Sequence, residues 1–256
     1  MDLNRLLQIA TNAGKILLES GAETYRVEET ISRICLAYGV TTAESFVTPT
    51  GLVVSVFYDS QTLSVVKRIH QRGVNLNKID RINSLSRELQ IKPLPLSELN
   101  EHIIAIDKEI RYSMPIVIIF SAIAAGSFSY ILGGNFYDVL SAAFIGLLIK
   151  FLSLIFAKLN INDFFMNFIC SSISAITAIL FYYLSIPLNI DKTIIGSIML
   201  LVPGLAITNA IRDTIAGDFL AGLTRASEAF LTAIAIASGT GVVIGFFVNT
   251  LGGSLW

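Results

Sequence analysis

Five ionisable side chains fall within one short stretch of an otherwise apolar half of the chain: Arg212, Asp213, Asp218, Arg225 and Glu228. An arginine can hold a carboxylate through charge-assisted hydrogen bonds, and an acidic side chain can bind an amino group or carry a proton. The helical spacing would put Asp218 and Arg225 on one face and would let Arg225 pair with Glu228. Because charges near membrane depth are costly, they normally face a cavity or one another. The cluster can therefore be a substrate-binding or coupling site, or alternatively a short solvated loop with anchoring charges.

The dipeptide Pro203-Gly204 interrupts the apolar segment just before this cluster. Proline removes a backbone donor from a helix and glycine adds backbone freedom. Discontinuous helices beside charges form the central sites of many secondary transporters. We therefore include Pro203, Gly204 and the nearby Asn209 in the candidate site. The alternatives are an ordinary helix kink and an asparagine that caps or bridges helices.

Composition separates the chain into two parts that must position these residues. The chain is 54% hydrophobic and 14% charged, whereas soluble domains carry about a quarter charged residues. Residues 1–112 contain 26 of the 37 charged residues. We therefore predict a soluble α+β domain over 1–112 and a membrane domain over 113–256. The net charge of −1 provides no basic surface for nucleic acid.

The soluble part alternates between helical and strand-like patterns. Glycines at 21 and 39 end the first two helices, and Asp59-Ser60-Gln61 is a candidate hairpin turn. The turn chemistry of Thr48-Pro49-Thr50-Gly51 separates the first two strands. The predicted elements are helices 3–20 and 23–38, strands 42–48, 51–58 and 62–67, and helices 75–90 and 97–111.

Five apolar segments in the second part are candidates for membrane spans, since a span needs about 20 mostly apolar residues. Their ranges are 115–132, 138–157, 164–186 (closed by Pro187), 192–211 and 228–251. The predicted fold is an α-helical membrane protein with an N-terminal α+β soluble domain and five transmembrane helices, one broken at Pro203-Gly204.

Basic residues predict the orientation in a cell inner membrane. With the soluble domain in the cytoplasm, Arg111, Lys158, Arg212 and Arg225 lie inside and only Lys192 lies outside. We expect a multi-pass protein with a cytoplasmic N-terminal domain and an external C-terminus. The first residues lack the apolar core of a signal peptide, so we expect no cleaved signal.

The sequence contains no arrangement typical of catalysis or metal binding. Cys35 and Cys170 lie in different predicted domains and are expected to be buried, inert thiols. His70 and His102 have no partners at metal-ligand spacing. We expect no catalytic residue, metal or cofactor, and hence not an enzyme.

Four stretches resemble the threonine/serine exporter family, above all its split form. They are GAETYRVEETISRI at 21–34, FVTPTGLVVSV at 46–56, NLNKIDRINSLSREL at 75–89 and VPGLAITNAIRDTIAGDFLAGLTRASEA at 202–229. In the split form, a subunit with a soluble domain and five spans works with a smaller, all-membrane subunit.

The resemblance implies an inner-membrane exporter of small carboxylates, such as threonine and serine or succinate-like dicarboxylates. It also implies a proton-driven mechanism. Fused members carry about twice as many spans, so this chain is expected to need the smaller partner subunit, a homo-oligomer, or both.

Two other hypotheses remain open. In the first, the soluble domain is a membrane-anchored hydrolase that depends on Glu23, Glu28 or His70. In the second, the chain is a regulatory or assembly subunit that does not itself transport.

Overall fold

The computed structural model describes residues 2–109, 112–186 and 189–251. Its described elements form two compact units, the first within residues 1–110 and 204–228 and the second within 111–203 and 229–256. In chain order the elements are α1 (Leu3–Glu19), α2 (Thr24–Ala37), β1 (Thr42–Thr48), β2 (Gly51–Tyr58), β3 (Gln61–Arg68), α3 (Leu76–Ile91), α4 (Leu96–Lys108), α5 (Met114–Ile131), α6 (Phe136–Lys158), α7 (Asp163–Tyr183), α8 (Ile190–Ile198), α9 (Gly204–Ala216) and α10 (Phe219–Leu251).

The first unit has a core in which α1 packs against α2, α3, α4 and the sheet. Helix α1 is apolar on much of its surface, and Leu6, Leu7 and Leu17 are almost completely buried. Strand β2 alternates, so that Leu52, Val54 and Val56 face this core while intervening residues face outward. The predicted α+β element order is confirmed for these residues.

The sheet is antiparallel with the order β1-β2-β3. Thr48 pairs with Gly51, which leaves Pro49-Thr50 as a two-residue turn in the predicted place. The second turn is shorter than predicted, because Gln61 already pairs with Tyr58 in the ladder. Asp59 and Ser60 both have positive φ, the conformation that two-residue hairpin turns use to match strand twist.

The second unit contains helices long and apolar enough to cross a membrane. Four helices in the described part of the chain meet that requirement, namely α5, α6, α7 and α10. They coincide with four of the five predicted spans, although α10 begins at Phe219 rather than at 228.

Small residues allow α10 to pack closely on α7. A Cβ added at Gly239 of α10 would lie only 2.2 Å from Oγ of Ser171 of α7.

The predicted span over 192–211, expected to be broken at Pro203-Gly204, consists of two separate helices. Helix α8 ends at Ile198, and α9 begins only at Gly204. Proline disfavours a helical conformation for the residue before it, so Val202 cannot readily continue the helix. The break falls where Pro203-Gly204 predicted it, but each half is too short to be a candidate span.

Helix α8 is held among three long helices of its own unit. It packs against α5, α6 and α7, and its Ser197 is 2.6 Å from Ser174, oxygen to oxygen. A Cβ at Gly196 would approach the backbone of Ser129 within 2.8 Å. The start of α8 contacts Asp138, a fully buried carboxylate that accepts hydrogen bonds from the backbone and side-chain amides of Asn189 at 2.5 and 2.8 Å. Asp138 is not among the residues predicted to form a site.

Three predictions concern residues outside the described ranges. They are the closure of the third span at Pro187, the position of Arg111 and the position of the C-terminus.

Candidate functional site

The candidate site lies in the first unit, at the junction between α1 and α2. Four consecutive residues, 21 to 24, each bind a side chain from α9 or from the first turns of α10. These partners are nearly 200 residues further along the chain. Three residues of the predicted charged cluster, Arg212, Asp213 and Arg225, are therefore organised around the GAET sequence, which ends one helix and begins the next.

Gly21 gives the junction its shape. Its φ of +88° is a conformation that other residues rarely adopt, and an added Cβ would lie 2.9 Å from the carbonyl oxygen of Gly73. The carbonyl of Gly21 accepts a 2.8 Å hydrogen bond from the side-chain amide of Asn209. Asn209 is almost fully buried, so this bond satisfies a polar group that would otherwise be unpaired.

Asp213 caps helix α2. The residue at the local capping position, Glu23, makes no side-chain cap, and Asp213 Oδ1 instead accepts a 3.1 Å hydrogen bond from the backbone N–H of Thr24. A carboxylate at this position also interacts favourably with the positive end of the helix dipole. The side chain of Asp213 is completely buried, so its charge must be balanced nearby.

Arg225 provides that balance. Its Nε lies 2.9 Å from Asp213 Oδ2, although the N–H is not aligned for a hydrogen bond. Its Nη2 donates a 2.7 Å hydrogen bond to the carbonyl of Ala22. The side chain of Arg225 is only 6% exposed, and the pair is therefore an internal, desolvated contact.

Arg212 is the more accessible arginine. Its side chain is 56% exposed, and its Nη1 donates to Oε1 of Glu23 at 2.5 Å. The other oxygen of Glu23 accepts a 2.9 Å bond from Arg26 Nε. Burial acts to raise the pKa of Glu23, but a backbone hydrogen bond and the guanidinium groups of Arg212 and Arg26 hold that pKa below its usual value. Glu23 is thus an ionised carboxylate held between two arginines.

Two further carboxylates have no cation partner among the described residues. Burial raises the pKa of Glu28, and the charges of Asp218 and Asp213 raise it further, against a hydrogen bond from the Val47 N–H. Burial, followed by the charge of Asp213, also raises the pKa of Asp218. Both groups therefore bind a proton more readily than ordinary carboxylates do.

A pocket of about 200 Å³ lies beside these carboxylates. Phe46 and Val47 of β1 form one wall, and the chain from Gly217 to Ala221 forms the other, with Asp218 in the lining. Because Val47 also donates to Glu28, the two carboxylates with raised pKa values are associated with the same short piece of β1.

The predicted site residues do not all lie together in the structure. Asn209, Arg212, Asp213 and Arg225 meet at the α1–α2 junction, whereas Glu228 pairs with Arg72 at 2.9 Å. The possible pair between Arg225 and Glu228 is not formed, because Arg225 turns to Asp213. Asp218 lines the pocket beside β1. Gly204 is the first residue of α9, and a Cβ added there would meet no other atom within 4 Å. Pro203 belongs to the second unit.

Sequence reasoning missed the roles of Glu23, Glu28 and Arg72 in this cluster. The sequence pattern suggested Glu23 and Glu28 only as residues of a possible hydrolase. Their place in GAETYRVEE, within a stretch that carries the family resemblance, was the signal that could have identified them. Of the residues considered for a hydrolase, Glu23 is held by two arginines and the side chain of His70 is exposed.

The chain is similar to known proteins over most of its length. Residues 8–247 match the family model described as "Putative threonine/serine exporter". A relative from Escherichia coli K12, named "Probable succinate transporter subunit YjjP", is 24% identical over 96% of this chain and 95% of its own length. A protein of Corynebacterium glutamicum named "Threonine/serine exporter" is 22% identical over 93% of this chain, which spans about half of that relative.

No solved structure matches the chain. The family model covers most of the sequence, including the α1–α2 junction, the charged residues of α9 and α10, three of the long apolar helices in full and most of the fourth, α10. The chain is therefore a membrane protein that belongs to the threonine/serine exporter family.

Proposed function

We propose that this protein is a subunit of a proton-coupled secondary exporter of small carboxylates, such as threonine and serine or succinate-like dicarboxylates. The observation that carries the proposal is the half-exposed guanidinium of Arg212, whose only acidic partner among the described residues is Glu23. An arginine in this state can exchange an internal carboxylate for that of a substrate.

Arg225 is less suited to bind substrate than Arg212. Its side chain is buried and occupied by Asp213 and by the Ala22 carbonyl, so release would leave a desolvated charge without a partner. We assign Arg225 and Asp213 a positioning role, in which they hold α9 and the start of α10 against the GAET junction. Asn209 has the same role through Gly21.

Glu28 and Asp218 are the proposed proton-coupling groups. Their raised pKa values bring protonation closer to neutral pH, and the charge of Asp218 contributes to the shift at Glu28. Uptake of a proton at either group would relieve repulsion with Asp213. This provides a way for proton binding to alter the same cluster that contains Arg212.

The proposal retains five membrane crossings. Residues 2–109 and 204–228 fall in one compact unit and so would lie on one side of a membrane, yet three long helices, α5 to α7, separate them in sequence. A chain returns to the same side of the membrane only after an even number of crossings. The segment that includes α8 would therefore be the fourth crossing between residues 109 and 204. Helix α8 alone spans only about 13 Å. A short broken helix is tolerated where protein surrounds it, as α5, α6 and α7 surround α8.

Basic residues favour placing the first unit in the cytoplasm. An external C-terminus then follows from the fifth crossing at α10. A partner is also part of the proposal: the Escherichia coli relative, which this chain matches over nearly its full length, is named a transporter subunit. We expect a smaller membrane subunit, a homo-oligomer, or both, to complete the transport path.

Uptake into inverted membrane vesicles tests this function. Labelled threonine, serine and succinate are supplied under an imposed proton gradient, to vesicles containing this protein alone or together with a co-expressed candidate partner. Gradient-dependent uptake of one substrate class is the expected result. If no substrate enters, with both proteins verified in the membrane, the exporter proposal is rejected.

A further inference from the structure

A second polar pocket lies in the first unit, lined by residues that do not belong to the charged cluster. It has a volume of about 270 Å³ and is lined by Arg5, Gln8, Ile9, Asn12, Lys67 and Asn100. Five of these six residues are polar, two are cations, and none is acidic. This combination points to an anionic ligand.

The backbone places these side chains on three separate elements. Arg5, Gln8 and Asn12 recur at helical spacing and therefore share one face of α1. Asn100 comes from α4 and Lys67 from β3. A pocket assembled by three packed elements is more rigid than one formed by a single loop.

Lys67 has an unusual position for a lysine. It pairs with Leu52 across the sheet, and cross-strand partners point to the same face. Leu52 is 1% exposed, so Lys67 projects from the face that packs on the core, whereas its neighbour Arg68 projects from the opposite face. Lys67 is half-buried there, and a lysine withdrawn from water usually has an acidic counter-charge.

That counter-charge is missing from the protein itself. Within residues 2–109, 112–186 and 189–251, neither Arg5 nor Lys67 forms an ion pair, and no side chain of the five polar lining residues hydrogen-bonds to another protein group. Elsewhere in the described part of the first unit, cations such as Arg26 and Lys78 have acidic partners, and cations without an ion pair, such as Arg68, are exposed to water, whereas Lys67 is half-buried. The two cations of this pocket are therefore available to an outside ligand.

We propose that this pocket binds a small dianion, a dicarboxylate or a phosphate, at a site separate from the transport residues. Arg5 and Lys67 would neutralise the two charges, and the amides of Gln8, Asn12 and Asn100 would complete the hydrogen bonding. The volume lies just below the range typical of drug-sized ligands, which fits a ligand of only a few heavy atoms.

Equilibrium dialysis of the full-length protein in detergent, with labelled succinate and separately with labelled inorganic phosphate, tests the proposal. The protein carries Arg212→Gln, so that binding at the proposed transport site does not contribute. We expect one site per chain for at least one probe. Adding Lys67→Gln or Arg5→Gln should weaken it by about tenfold or more, because each removes a charge-assisted contact.

Arg68→Gln is the matched control, since it removes the same charge from the next residue of β3 on the opposite face. It should leave binding unchanged, and far-ultraviolet circular dichroism should show that all variants are folded. Stronger binding of succinate than of phosphate would assign the ligand to the dicarboxylates, and the reverse order to the phosphates. The proposal is overturned if neither probe binds at millimolar concentration, or if Arg68→Gln and Lys67→Gln weaken binding equally.

Discussion

Asp213 caps helix α2 from a position 189 residues further along the chain: its Oδ1 accepts a 3.1 Å hydrogen bond from the backbone N–H of Thr24. The same carboxylate holds the buried guanidinium of Arg225. One side chain thus links the start of α2, the last turn of α9 and the first turns of α10.

The buried pair is expected to be essential for stability. Asp213→Asn leaves Arg225 desolvated and uncompensated, which should destabilise the protein by about 3–5 kcal/mol. The matched control is Glu228→Gln, which breaks a partly exposed pair with Arg72 and should cost at most about 1 kcal/mol. Thermal unfolding of the purified protein measures both effects. Equal losses would contradict the assignment of Asp213 as the internal link.

Arg212 should be required for transport. Arg212→Gln is expected to reduce gradient-driven uptake at least about tenfold while the protein level in the membrane is kept, because the lost contact is one charge-assisted pair. Arg33→Gln is the control, since Arg33 forms a similar pair with Glu29 on the exposed surface of α2. Normal uptake by Arg212→Gln would remove this arginine from the substrate site.

Glu23 should compete with substrate for Arg212. Glu23→Gln weakens the internal pair, so we expect a lower KM for uptake of the transported carboxylate. Vesicle assays over a range of substrate concentrations provide KM and maximal rate separately. A higher KM would instead indicate that Glu23 orients Arg212 for the substrate.

Glu28 should make stability depend on pH. The pKa of Glu28 is raised in the folded protein, so above the ordinary pKa of 4.5 the folded state still holds a proton that the unfolded chain has released. The free energy of unfolding therefore falls as pH rises from 4.5 through the pKa of the folded state. Glu28→Gln removes this penalty and should raise the unfolding temperature at pH 7 but not at pH 4. Glu29→Gln, an exposed neighbour on α2, should show no such pH-dependent gain. A gain of equal size at both pH values would exclude titration as its cause.

Gly21 should tolerate no side chain. Gly21→Ala combines the cost of positive φ, about 1–2 kcal/mol, with a contact of 2.9 Å to the Gly73 carbonyl oxygen. Gly39 has a similar φ of +79° and open space, so Gly39→Ala isolates the backbone cost. We expect Gly21→Ala to be clearly more destabilising in thermal unfolding. Equal effects would show that the junction adapts to the added methyl group.

The sequence by itself determined the local structure of this protein. Apolar periodicity, glycine stops and turn residues located α1 to α4 and the three strands to within a few residues, because these signals act between near neighbours. Apolar runs of sufficient length located the four long helices, although α10 begins nine residues before its predicted span, and Pro203-Gly204 located the break between α8 and α9.

Only the tertiary structure decided which charges meet. Local spacing allowed Arg225 to pair with Glu228, but folding brings in Asp213, the Ala22 carbonyl and Thr24, and Glu23 becomes the partner of Arg212. Contacts between residues almost 200 positions apart leave no periodic trace in a single sequence. For the same reason, the sequence could not show that 204–228 folds in one unit with the N-terminal residues, since composition places this segment among the apolar helices.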